Sequence, residues 1–313
     1  MLFRCIPITY LLFLLSIAPI EQTPKGVWVP ISDALLAKLT AEGNKPGFPG
    51  GTAGVNVDRE TAELRIIVPN QGIWRRMAPS DSLTRMDGGS VSGRCETGFG
   101  LNSDPSGKRL ACFMLDGKSA MTLDNGRSWR SFQQLGRGWD YGTVDWSGPN
   151  PQTMLAVHHE SGCDLHLSED AGKSWKLLGK DYTAIGIFAP KILVASKGDG
   201  ILRSTNSGVS WTKVSDRTPT GRVLSVFKGI GYWVTKEGLL ISRDKGISWK
   251  AQGRTLEAAW GPFFGKDEKQ IVVVGRDGSQ TGLFQSLDAG QSWKFAAPLP
   301  DLGKSGRDRK SVV

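Results

Sequence analysis

The phrase Ser286-Leu287-Asp288-Ala289-Gly290-Gln291-Ser292-Trp293 has four counterparts upstream, beginning at Thr122, Ser168, Ser204 and Ser242. The five starts are 46, 36, 38 and 44 residues apart. Self-similarity at such a period marks a repeat architecture, whose units are too small to bury their own apolar faces and must stack. The phrase has its own chemistry as well. Its polar residue (Asp124, Asp170, Asn206, Asp244 or Asp288) is expected to accept backbone N–H groups in a tight turn. Its glycine is expected to supply a positive φ. Five of the eleven tryptophans close the phrase, and they are expected to pack on the adjoining repeat.

Between the phrases lie short apolar runs interrupted by glycine and charge, four to a unit. No 3.6-residue periodicity accompanies them, which excludes a helical solenoid. Six units are readable within residues 47–297, with the phrase of the first reduced to Gly72-Ile73-Trp74 and the second opening on a strand at 95–101. Consecutive four-stranded units predict an all-β fold, a single β-propeller that closes radially and leaves few exposed strand edges. Six blades compete with a plan that adds a shortened seventh. Residues 19–46 form a lead-in with a helical turn at 35–39 and a ring-closing strand at 27–31, and residues 298–313 a polar tail.

Residues 1–18 read as a secretory signal: Arg4 supplies a basic start, 6–17 an apolar run containing Pro7, and Ser16-Ile17-Ala18 a small-residue end. The run is short for a membrane span. The expected location is therefore secreted, extracellular or periplasmic, with no stable span once the signal is removed. Cys95, Cys112 and Cys163 then remain, an odd number at spacings unsuited to zinc, although a Cys95–Cys112 bridge is one option. No metal and no cofactor are expected. The net charge of +9 suits an anionic polymer. The cations are dispersed and carry no recognised nucleic-acid motif, so a nucleic-acid partner is not expected. A monomer is.

The repeated phrase resembles the Asp-box, or bacterial-neuraminidase, repeat. That resemblance implies a sialidase-like propeller with the boxes at the turn from third to fourth strand, on the face away from the active site. The superfamily includes sialidases, xyloglucan-active hydrolases, propeller polysaccharide lyases, sorting-receptor ectodomains and photosystem assembly factors. The Arg-Ile-Pro phrase of sialidases is absent and tyrosine is scarce, at four residues. Residues 47–75, with Gly50-Gly51 followed by Gly72-Ile73-Trp74-Arg75, resemble the opening of xyloglucan-active propellers. The histidine-bearing third unit is loosely similar to secreted propeller lyases acting on uronic-acid polysaccharides.

If the boxes occupy one face, the links from second to third strand and from fourth strand to the next unit occupy the other. Those links hold two charged clusters, Arg94-Cys95-Glu96 and His158-His159-Glu160. His159 is the expected acid or base, because imidazole titrates near neutral pH, and Glu160 could orient it or act itself. One of the adjacent histidines should point into the blade stack. Asp116 and Asp140 could form the carboxylate pair of a glycosidase, and Tyr141 could donate a proton or carry a sugar. Arg94, Arg222 and Arg276 could converge on a substrate carboxylate, with Glu96, Lys197 and Trp139 as further substrate contacts. The function these residues imply is a secreted carbohydrate-active enzyme, a lyase or a glycoside hydrolase, cleaving an acidic polysaccharide or oligosaccharide by β-elimination or hydrolysis. The alternative is a noncatalytic propeller that binds a glycan or a protein, or takes part in assembly.

Overall fold

The computed structural model describes residues 30–77, 82–96, 98–253 and 255–299. The signal at 1–18, most of the expected strand at 27–31 and the tail from residue 300 lie outside the described residues.

Each repeated phrase closes its turn in the same way. The leading hydroxyl donates to the acid or amide two residues on, at 2.7–2.9 Å. It also accepts the N–H of the phrase glycine, at 2.7–2.9 Å. The acid or amide oxygen in turn accepts the N–H of the serine four residues further. Two consecutive residues are left-handed, as at Ala171 (φ 61°) and Gly172 (φ 84°). Only glycine fits the second position, where a Cβ on Gly172 would stand 2.4 Å from the Cβ of Phe132 in the preceding unit. The tryptophan after the turn then enters the same seam: Trp175 packs at a tilt against Phe132, and Trp249 against Phe188.

These turns join the third and fourth strands of five blades. Blade 1 is β1 (Gly54–Val57), β2 (Leu64–Val68), β3 (Gly72–Arg76) and β4 (Thr84–Arg85). Blade 2 is β5 (Leu101–Ser103), β6 (Leu110–Cys112), β7 (Ser119–Thr122) and β8 (Arg130–Phe132). Blade 3 is β9 (Trp139–Val144), β10 (Met154–His158), β11 (Leu165–Ser168) and β12 (Lys176–Gly179). Blade 4 is β13 (Ala184–Ala189), β14 (Ile192–Ser196), β15 (Ile201–Ser204) and β16 (Thr212–Ser215). Blade 5 is β17 (Ser225–Phe227), β18 (Ile230–Thr235), β19 (Gly238–Ser242) and β20 (Lys250–Gln252). Blade 6 is β21 (Glu257–Phe264), β22 (Ile271–Asp277), β23 (Gln280–Ser286) and β24 (Lys294–Pro298). Every sheet is antiparallel and built from four consecutive strands. The protein is a six-bladed β-propeller, and no seventh blade is present among the described residues.

The strand expected at 72–76 is β3, and it contains Gly72-Ile73-Trp74. One boundary departs from the sequence reading: blade 2 starts at Leu101, and Cys95, Glu96 and residues 98–100 belong to the link before it. The expected helical turn at 35–39 is part of helix α1 (Asp33–Ala41), which seats Leu35 and Leu39 on Ile66 and Val68 of blade 1. No helix of the described residues is long and apolar enough to cross a membrane.

Blade 1 contains a buried ionic knot. The Arg65 side chain has no solvent exposure and pairs with Glu63 at 2.7 Å and Asp58 at 3.3 Å. It also donates across the seam to the carbonyl of Gly107 and the side chain of Asn125, both in blade 2. Cys95 and Cys112 are free thiols, buried in the apolar cluster between the same two blades, so the bridge between them is not formed.

The repeated turns carry an acid sensitivity. Hydrogen bonds from the following serines hold Asp124, Asp170 and Asp288 at about 2, against an ordinary 3.8. A carboxyl depressed on folding contributes stability above its unfolded pKa and loses it as pH falls through the folded one. The thermal midpoint is therefore expected to hold steady above about pH 5 and to fall between about pH 4 and 2. Asp170→Asn, which copies the natural Asn206 phrase, should reduce that fall; a pH series of melting curves showing no fall would refute the assignment.

Candidate functional site

The chain enters each blade along the ring axis, so the links from fourth strand to next blade and from second to third strand share one end of the ring. There the structure brings together links of blades 2 and 3. Gly93 (φ 99°) allows the close crossing: a Cβ at this position would lie 1.8 Å from the backbone oxygen of Asp116. Asp116 then accepts the backbone N–H of Arg94 at 2.6 Å and its Nε at 2.6 Å. Burial raises the pKa of this carboxyl, but the two Arg94 hydrogen bonds, the guanidinium charge and nearby His159 outweigh it and leave Asp116 below the usual value. Asp116 is thus held as an anion.

His159 and Asp140 meet across the β9–β10 pair. The register slips between Val157 and His158, so that His158 pairs with Trp139. His159 Nδ1 lies 2.5 Å from Asp140 Oδ1. A carboxylate can only accept, so Nδ1 carries the hydrogen. Glu160 Oε1 lies 3.5 Å from Nε2, and Glu160 is ion-paired to Arg137. Glu160 and Cys163 both take positive φ, at 52° and 61°. Two left-handed non-glycine residues in one short link are strain of the kind that gathers at functional sites.

The adjacent histidine turns inward. His158 packs edge-on against Trp139 and His166, with its Nε2 buried and unpartnered. Trp139 is fully buried between these imidazoles and Trp175, so it presents no face to a substrate. Tyr141 is 2 % exposed and its hydroxyl donates to the carbonyl of Tyr182 at 3.1 Å. Burial pushes that phenol far above its ordinary pKa. Neither aromatic is in contact with solvent as the sequence reading supposed, and Tyr141 cannot deliver a proton from this position.

Tyr141 instead supports a cation. The Arg222 guanidinium from blade 5 lies 5.3 Å from the Tyr141 ring centre and 4.9 Å from that of Phe99. Among the described residues Arg222 forms no ion pair. Phe99 also faces Trp260 at 6.1 Å, and this aromatic group surrounds one mouth of the axial channel. Lys197 stands 4.6 Å over the Tyr182 ring, next along the rim. Arg276 is drawn off to Glu257 within blade 6, at 2.7 Å. Glu96 lies in the link before β5, where its carbonyl accepts the Gly100 N–H at 3.4 Å.

Sequence reading missed Phe99, Arg137, Cys163 and Tyr182. Arg137 could have been found, since it lies in the link before β9 that the strand order assigns to this face. Among the described residues no three His, Cys, Asp or Glu side chains are grouped to hold a metal ion.

Similarity to solved structures lies at the level of fold. A GH74 enzyme from Niastella koreensis superposes with a TM-score of 0.54 at 19% identity, covering 86% of this chain. The chain spans 40% of that enzyme's length. The GH74 xyloglucanase from Xanthomonas campestris gives a TM-score of 0.38 at 15% identity, over 80% of this chain and 50% of its own. YCF48 bound to D1 peptide gives 0.48 at 12% identity, over 78% of this chain and 81% of its own. No family model and no curated protein matches the sequence.

Proposed function

We propose that this chain is an exported carbohydrate-active propeller that cleaves an acidic polysaccharide or oligosaccharide at the face opposite the repeated turns. The observation that carries the reading is the 2.5 Å contact of His159 with Asp140 beside the anionic Asp116. Fold-level likeness to a GH74 enzyme supports a carbohydrate-active propeller and says nothing finer. Asp140 orients the imidazole so that Nε2 faces out as a base. Arg222, free of an acidic partner, receives the uronate carboxylate and stabilises the charge that develops when the α-proton leaves.

In β-elimination Nε2 takes that proton, the C–H electron pair becomes the new C=C bond, and the glycosidic C–O bond breaks toward the leaving oxygen. With the Tyr141 hydroxyl engaged, the His159 imidazolium returns the proton to that oxygen. Hydrolysis would instead use Asp116 and Asp140. Asp116, held ionised by Arg94, suits a base or stabilising anion and not a general acid.

One observation favours a noncatalytic binder: Arg94, Arg137 and Arg276 are already neutralised by Asp116, Glu160 and Glu257. The deciding experiment incubates the protein with a panel of uronate polysaccharides and follows ultraviolet absorbance and reducing ends together. Both rising supports elimination, and reducing ends alone support hydrolysis. Saturable binding with neither transfers the site to the binder reading, and no binding at all removes it.

A further inference from the structure

The axial channel is separate in chemistry from the rim. It encloses about 830 Å³ and is walled by the first strands of the blades. That size falls within the range of small-molecule sites. Its walls leave apolar side chains facing the lumen: Val55 is 54%, Val57 45% and Phe263 42% exposed, and all three line it.

At the end near the repeated turns the channel carries a cation with an unmet valence. Arg59 lines this end, with its guanidinium 5.0 Å from the Phe227 ring centre and 5.6 Å from that of Phe264. Its Nη1 is buried and has no hydrogen-bond partner. Asp104, the acid whose charge acts on Arg59, is already engaged by the backbone and Nε of Arg109 and by Ser106. Lys228 at the same end is paired with Glu268. A buried N–H without an acceptor is costly, and an anion supplies the acceptor and the charge together.

We infer that the channel is a binding site for a small amphipathic organic anion, a carboxylate on an aliphatic or aromatic body. The head group accepts from Arg59 Nη1, and the body lies along Val55, Val57 and Phe263. A neutral molecule of the same shape leaves Nη1 unsatisfied. A cationic one meets Arg59 with like charge. This site is independent of the rim chemistry, because Arg59 is at the opposite end of the channel from Arg222.

The test is calorimetric titration of the full chain with decanoate, decan-1-ol and decyltrimethylammonium, each below its micelle concentration. One-to-one saturable binding of decanoate is expected, at least tenfold weaker for the alcohol and absent for the cation. Arg59→Gln should weaken decanoate at least tenfold, and Val57→Trp, which fills the lumen, should abolish binding. Both variants should keep the wild-type melting midpoint and the wild-type rim activity or polysaccharide binding. No saturable heat with decanoate, equal affinity for the alcohol, or undiminished binding in either folded variant would overturn the site. A variant that fails to melt as wild type is replaced by the comparison of the three ligands on the unmodified chain, which decides alone. Loss of polysaccharide recognition in His159→Gln with decanoate binding intact separates this site from the rim.

Discussion

Arg65→Met is expected to destabilise the propeller by about 3–5 kcal/mol, the cost of leaving buried acids without their cation. Asp58 and Glu63 pair with Arg65 where solvent does not reach, and no other described cation takes over that position. Arg75 approaches Glu63 only at 3.9 Å from a half-exposed position. The substitution also removes the donors to Gly107 and Asn125, so blade 1 loses its polar tie to blade 2. Chemical denaturation should show a lower midpoint. The double variant Arg65→Met/Glu63→Leu should recover part of the loss, because it removes one stranded charge as well. A loss below about 1 kcal/mol for the single variant would mean that water reaches the knot.

His159→Gln is expected to lower turnover of a uronate substrate by about 10²–10⁴-fold, the usual contribution of a positioned acid–base group. KM should change little, since Arg222 and the rim remain. Asp140→Asn should also lower turnover, because the amide no longer fixes Nδ1–H and frees the ring to take the other tautomer. A merely structural role for Asp140 predicts the same pH profile in the variant as in the parent. A positioning role predicts a displaced acid limb. If His159→Gln binds the polysaccharide as the parent does and the parent releases no product, the rim is a binding surface.

The repeated turn made the ring legible because one chemical solution, a serine or threonine hydroxyl bridging an acid or amide and a glycine N–H, recurs five times at blade spacing. Where that turn is missing the reading slipped. Blade 1 has no complete phrase to anchor its end, and the second blade opens at Leu101 and not at residue 95. The knot around Arg65 was invisible for a different reason: its partners lie from 2 to 60 residues away, and only packing makes them neighbours.

At the rim, strand alternation held more than was extracted from it. Trp139 and Tyr141 share one face of β9 and Asp140 the other, so burying the two rings turns the carboxylate out. The register slip after Val157, which brings His159 to Asp140, has no signature in residue type. Arg222 stacking on Phe99 and Tyr141 depends on the curvature of the whole ring and could not be read from any local segment.

No β-ladder joins blade 6 to blade 1 among the described residues; each sheet is complete in one contiguous stretch of chain. The order in which the sheets are threaded is consequently a matter of covalent bookkeeping and not of hydrogen bonding. A circular permutant reopened at residues 180–181, between the third and fourth sheets, would keep all six intact, with the old ends joined by a flexible tether.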